Sequence, residues 1–294
     1  MQFFHKYLLI FLSIGLLLSK RVKFVKDFAR IASNDWNFTV VTVDLRGHGE
    51  NLTYPEPGLG IYEGLDICYL DKKLKLDYGM DYVGLVGFSY GAHTVVRSVY
   101  EACCEAKENN CAPVIDAGIA IYPPCDMQMA FKDLDPDGFG YVTNNFFKGV
   151  FLERIKNFKK DKFLSDEVGI QNFKEYLSQV ILPRYQDDSN YIKLEGFCKK
   201  YGDLEQVIDH NKKDYQHLNK RITFYREKIN RIQTAEEALK MASTHKLLPQ
   251  IDSVPLLIIH SEDDTTVLAK HSLVTAKEVN RLGLHNILVV MQIG

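Results

Sequence analysis

The sequence has no C-x-x-C pair, so its six cysteines, Cys68, Cys103, Cys104, Cys111, Cys125 and Cys198, do not read as a zinc site. They read as free thiols of a reducing compartment. Neither sign of charge is in excess. The 36 Lys and Arg stand against 38 Asp and Glu, a net charge of -2, which leaves no basic face for nucleic acid. No metal and no cofactor is expected. The N-terminal apolar run, residues 8–18 of MQFFHKYLLIFLSIGLLLSK, falls short of the roughly 20 residues that cross a bilayer. Its length suits a signal-peptide core, yet no small-x-small cleavage site follows Leu18. The other reading is a buried strand and loop. The location therefore stays open between membrane-associated (at an endoplasmic reticulum-like surface) and cytoplasmic.

What the chain does have is an ordinary globular balance: 294 residues, 46% hydrophobic and 25% charged. That suits one large α/β domain or two small ones. Residues 1–124 alternate apolar runs with helical spacing. TVVTV, YVGLVGF and GIAI read as strands, while IYEGLDICYLDKKLKL and YGAHTVVRSVYEACCEA read as helices, with Ile67, Leu70 and Leu74 on the first and Val95, Val96 and Val99 on the second. Strands separated by helices imply a parallel sheet covered on both faces. Over residues 125–246 the rhythm becomes long, charged, aromatic-spotted helices. The sheet pattern returns over 247–294 with LLIIHSEDD, a helix, and HNILVVM. A helical block between sheet strands is an excursion, and in an enzyme it would form a lid over the strand ends.

The stretch GLVGFSYGA sets Ser89 between Gly87 and Gly91, where a strand gives way to a helix. In parallel sheets, ligands gather at the carboxyl ends of strands. A serine on a sharp strand-turn-helix, with glycines two residues to either side, is the pattern of a nucleophile elbow. Such a serine needs a base, and the base needs an acid to orient it, in the order Ser, Asp or Glu, His. LLIIHSEDDTTV supplies the acid just past a later strand. Asp264 is the choice and Asp263 the alternative, against the reading that both only cap a helix starting near Thr265.

Together these residues resemble the α/β-hydrolases. The closest resemblance is to the AB hydrolase 4 branch of membrane-associated acylglycerol lipases and phospholipases, with the YheT-like esterases. VDLRGHGENLTYPEP is similar to that family's N-x-R-G loop, with Asp44 in place of Asn. VGFSYGA is similar to G-x-S-x-G-A. MASTHKLLPQIDSVPLLIIHSEDD is similar to its A-S-x-x-x-L-x-x-I-x-x-P-x-L-x-I-x-x-x-D-D run. The resemblance implies an α/β-hydrolase fold with an inserted helical lid. It also implies a serine hydrolase acting through an acyl-enzyme on carboxylic esters, with acylglycerols or phospholipids as substrates. By it, Ser89 is the nucleophile, Asp264 the triad acid, and the backbone amides of Tyr90 and Leu16 the oxyanion hole. Leu16 rests on reading SIGLL as the family's H-G-L or P-G-L loop. On that reading, the strands that normally precede this one are absent.

The family's base lies in a G-G-H or G-H run after the last strand, where this sequence reaches Gly294. The histidines at hand do not fit the role. His271 falls inside a helix, and His285 stands at the wrong end of the last strand. His93 points into packing, while His48 and His260 read as structural. The expectation is a truncated hydrolase or, alternatively, a catalytically inactive relative. Two weaker signals remain. DLDPDGFGYV from Asp135 puts Phe139 and Phe146 where a calcium loop needs carboxylates, so it reads as a turn. ERIKNFKKDKF interleaves basic residues with Phe158 and Phe163; it reads as a solvated amphipathic helix or as one resting on a membrane surface.

Overall fold

The computed structural model describes residues 7–12, 23–45, 60–133, 220–221, 223–225, 227–228, 231, 235–264 and 267–292. Leu16, His48, the calcium-like stretch and the basic helix named above lie outside them. Six strands carry the fold: β1 (Tyr7–Leu12), β2 (Thr39–Val43), β3 (Tyr82–Phe88), β4 (Ala117–Ile121), β5 (Leu256–Ser261) and β6 (Ile287–Gln292). They form one parallel sheet in the order β2-β1-β3-β4-β5-β6. The helices between them are α1 (Lys23–Asn34), α2 (Ile61–Tyr78), α3 (Tyr90–Asn109), α4 (Met127–Asp133), α5 (Ala235–Ala242) and α6 (Lys270–Leu282), with a short 3-10 turn at His245–Gln250. The chain divides into two compact units, Met1–Ile170 with Leu239–Gly294, and Gln171–Ala238. In the second, Arg221 donates to the Tyr225 hydroxyl at 2.7 Å and lies over the rings of Phe224 and Tyr225.

The N-terminal apolar run holds a strand. Leu8 to Leu12 pair with Thr39 to Val43 on one side, and Tyr7 to Leu12 pair with Tyr82 to Gly87 on the other, so β1 is an inner strand. From β1 the chain steps outward to β2, then returns past β1 to β3 and continues the other way. The order reverses between β1 and β3, and in open parallel sheets such a reversal is where ligands bind, at the carboxyl ends of the strands.

Side-chain alternation separates the two faces of the sheet. On one face Val83, Leu85, Ala120, Leu256 and Ile258 join Val95, Val96, Val99 and Ile67 in the larger core. The helical spacing noted on α2 and α3 thus marks the residues that face the sheet. On the other face Val86 meets Val25 and Ala32 of α1, flanked by Phe28, Phe88, Ile119 and Ile121. Each fully buried aliphatic side chain contributes about 1.5–3 kcal/mol relative to exposure.

The seam between α2 and α3 is charged although buried. Arg97 pairs with Glu101 at 3.3 Å, and Lys72 with Glu105. Asp71 is fully buried with neither oxygen hydrogen-bonded, and burial holds its carboxyl well above the usual carboxylate range. No described helix is long and apolar enough to cross a membrane.

Removing residues 1–19 takes out an inner strand and leaves β2 with no partner. The lost ladder and packing are on the order of the 5–15 kcal/mol that stabilises a whole domain. The expected outcome is insoluble protein. A deletion variant that stays soluble and melts cooperatively would show that β1 is dispensable.

Candidate active site

The serine turn is built by close backbone approach. β3 ends at Phe88 and α3 begins at Tyr90, so a single residue, Ser89, makes the corner. Its backbone sits at φ 50, ψ -117, a conformation that non-glycine residues rarely hold unless the surroundings enforce it. Two bonds enforce it here. The Ser89 amide donates to the Ile121 carbonyl at 2.8 Å, and the His93 amide donates to the Ser89 carbonyl at 3.0 Å. A Cβ on Gly87 would stand 2.3 Å from the Gly91 carbonyl oxygen and 2.8 Å from the Ala92 nitrogen. Those are backbone atoms and cannot give way, so Gly87 is obligatory. Serine commonly caps helices with its hydroxyl, but Ser89 makes no side-chain cap bond. Ser89 is half-buried at the carboxyl edge of the sheet.

Leu12, the last residue of β1, pairs with Gly87, and Leu16 lies outside the described residues. Asp264 lies three residues beyond β5, two strands from β3, which is about 10 Å at the usual strand spacing. The two acids differ. Asp263 is exposed and takes a hydrogen bond from the Ser261 hydroxyl. Asp264 is half-buried, and its Oδ1 accepts from the Val267 amide at 3.1 Å. Both ends of that bond precede the following helix, which begins at Lys270 and not near Thr265, so Asp264 does not cap it.

His260 also bonds Val267. Its Nε2 is 2.6 Å from the Val267 carbonyl, which can only accept, so Nε2 carries the proton. Its Nδ1 then accepts from the Ser272 hydroxyl at 2.7 Å. Asp264 Oδ2 stands 3.9 Å from Nε2. Burial lowers the His260 pKa from its ordinary value, against smaller opposing effects of the Val267 carbonyl and Asp264. His93 is also buried and donates from Nδ1 to the Pro124 carbonyl at 3.1 Å. His271 is buried within α6, and His285 is exposed ahead of β6, at its amino end.

Three contributors were not legible in the sequence. Tyr122 directly follows β4, the strand between those that lead to Ser89 and Asp264. It holds φ 58, donates its amide to the Ile259 carbonyl at 2.8 Å, and packs its ring edge-on against His260 at 5.5 Å. Its position before Pro123-Pro124 marked only a strand end. The Tyr90 hydroxyl and Glu63 meet at the start of α2, 27 residues apart in sequence, and no motif links them.

The chain is similar to an esterase of Pyrococcus furiosus, at 16% identity and TM-score 0.51, covering 99% of this chain and 74% of that one. It is similar to a puromycin-hydrolysing peptidase of Mycobacterium tuberculosis, at 12% identity and TM-score 0.56, covering 98% of this chain and 30% of that one. It is also similar to the rice cell wall degrading esterase LipA of Xanthomonas oryzae, at 16% identity and TM-score 0.51, covering 98% and 74%. These likenesses establish the α/β-hydrolase fold, a mostly parallel sheet flanked by helices. No family model and no curated protein matches the sequence.

Two outcomes follow. Gly87→Ala should destabilise the protein by about 3 kcal/mol or more, because strand and helix backbones must separate to admit the methyl group. A melting temperature within a degree or so of wild type would contradict the close approach. The second concerns pH. An unfolded histidine titrates near about 6.5, and folded His260 titrates below it. Between those values the unfolded chain binds more protons. The stabilisation is therefore complete above about pH 6.5 and is lost as pH falls through that window. Urea midpoints at about pH 7.5 and 5.5 should differ more for wild type than for His260→Gln. Equal pH dependence would rule His260 out as the titrating group.

Proposed function

We propose that the protein is a serine hydrolase that cleaves carboxylic esters through an acyl-enzyme, with Ser89 as nucleophile. The observation that carries this reading is the Ser89 turn: a strained corner at the carboxyl edge of a parallel sheet, with the hydroxyl kept out of helix capping. In this reading Ser89 Oγ attacks the acyl carbonyl and a histidine base takes its proton. The oxyanion is held by the Tyr90 amide and, from the loop after β1, by the Leu16 amide. The base returns the proton to the leaving alcohol, and water then hydrolyses the ester on Ser89 by the same steps. Asp264, anchored by the Val267 amide, orients the base.

The finer reading is a lipid substrate, an acylglycerol or phospholipid, met at a membrane surface. Its support is the resemblance of three sequence stretches to the AB hydrolase 4 branch, and the aromatic-rich sequence between β4 and β5, a composition that favours acyl chains over charged polymers. Esterases and a puromycin-hydrolysing peptidase are among the similar solved structures. The second reading is a non-catalytic protein of the same fold. It is favoured by His93 and His260, whose ring nitrogens bond Pro124, Ser272 and Val267.

Labelling with a fluorophosphonate probe, followed by peptide mapping, separates the two. The expected result is an adduct on Ser89 and hydrolysis of short p-nitrophenyl esters, both abolished in Ser89→Ala. Loss of a triad member costs several orders of magnitude in rate. A folded full-length protein that neither labels nor hydrolyses above the Ser89→Ala control would sink the enzyme reading.

A further inference from the structure

The first turns of α2 and α3 are joined by a closed triangle of buried hydrogen bonds. The Tyr90 hydroxyl donates to Glu63 Oε1 at 2.9 Å. The Gly60 amide is shared between Glu63 Oε2 at 3.0 Å and the Tyr90 oxygen at 2.9 Å. Glu63 is fully buried and Tyr90 nearly so. Gly60 takes a left-handed conformation, φ 84, that brings it against the ring of His93, where a Cβ would stand 2.5 Å from Cδ2. His93 in turn lies parallel to the Tyr90 ring and donates to the Pro124 carbonyl beyond β4.

We infer that Glu63 is a positioning residue for the oxyanion hole, acting through Tyr90. The inference rests on the reading of Ser89 as nucleophile. Tyr90 directly follows Ser89, so its backbone amide is the donor that the elbow supplies to a developing oxyanion. That amide belongs to the first residue of α3, where the backbone turns through the Ser89 corner. The Ser89 and His93 amide bonds fix the corner from the sheet side, and the Tyr90 side chain anchors it from the far side. Glu63 provides the anchor.

A glutamate three residues into a helix often caps the preceding amide, and Glu63 does so for Gly60. Capping works equally well at the surface, where the carboxyl keeps its water. Burying it costs desolvation that a cap alone does not return. The bond from Tyr90 is what the buried position adds. A donor displaced by about 1 Å stabilises the transition state far less while binding substrate nearly as well, so the loss falls on turnover.

The test uses Glu63→Ala, Glu63→Gln and Tyr90→Phe in the full chain, assayed on a short p-nitrophenyl ester alongside wild type and Ser89→Ala. Glu63→Ala and Tyr90→Phe should each lose roughly 10- to 100-fold in kcat, with KM within about two-fold. Glu63→Gln keeps an acceptor for Gly60 and a polar contact to Tyr90, and should recover most of the rate. The two deletions should be non-additive in the double variant. A readout independent of turnover is amide exchange. Ser89 and His93, bonded to Ile121 and Ser89 carbonyls, should exchange faster in Tyr90→Phe, while the β5 amides stay unchanged. If wild type does not label with fluorophosphonate, the hydrolase reading falls and exchange alone reports on the anchor. Folded Tyr90→Phe with wild-type kcat in an active enzyme, or with wild-type exchange at Ser89 and His93, would overturn the inference. So would a Glu63→Ala loss that appears in KM instead of kcat.

Discussion

Strand β3 becomes helix α3 within one residue because the chain has no side chain at Gly87. With the Gly91 carbonyl 2.3 Å from where a Cβ would sit, the two backbones touch. The contact leaves Ser89 no choice but a positive φ, and it sets the depth at which α3 lies on the sheet. From that depth follow the packing of Val95 and Val99 over β4 and the reach of His93 to Pro124. The same depth lets the Tyr90 ring pass under the start of α2. Strain at one corner is thus sustained by a core whose apolar burial far exceeds the 1–3 kcal/mol such a conformation costs.

Much of this was written in the sequence where local chemistry decides. G-x-S-x-G between an apolar run and a helical period allows little but a sharp corner. Alternation in YVGLVGF and LLIIHS gives strands whose burial on both faces follows from the helices between them. The N-terminal run was ambiguous between strand and signal core because length and apolarity are shared by both. Only pairing with β2 and β3, a property of distant segments, makes it a strand. The start of α6 moved from Thr265 to Lys270 for a similar reason. Asp264 accepts from the Val267 amide ahead of that helix, His260 bonds the Val267 carbonyl, and that histidine is tied down by Ser272. Propensity at Thr265 carries no trace of it.

The polar groups around the site share a design. Glu63, His93 and His260 are buried, and each bonds a backbone group in a loop or at a helix start. Backbone ends are the places a sheet-and-helix scaffold leaves unsatisfied. Side chains that satisfy them also fix where those ends point. The geometry at the carboxyl edge of the sheet is therefore set by polar contacts between loops, with the apolar core beneath acting as a platform.

Helix α3 has no wet side. Residues 90–106 are all buried, Arg97, Glu101 and Glu105 included. Most helices of a layered protein keep one face for solvent, and that face absorbs substitutions and lets the helix breathe. A helix enclosed on every side opens only when most of the surrounding structure opens with it. Ser89 stands at the amino end of that enclosed stretch, so its corner opens only with the structure packed around the helix.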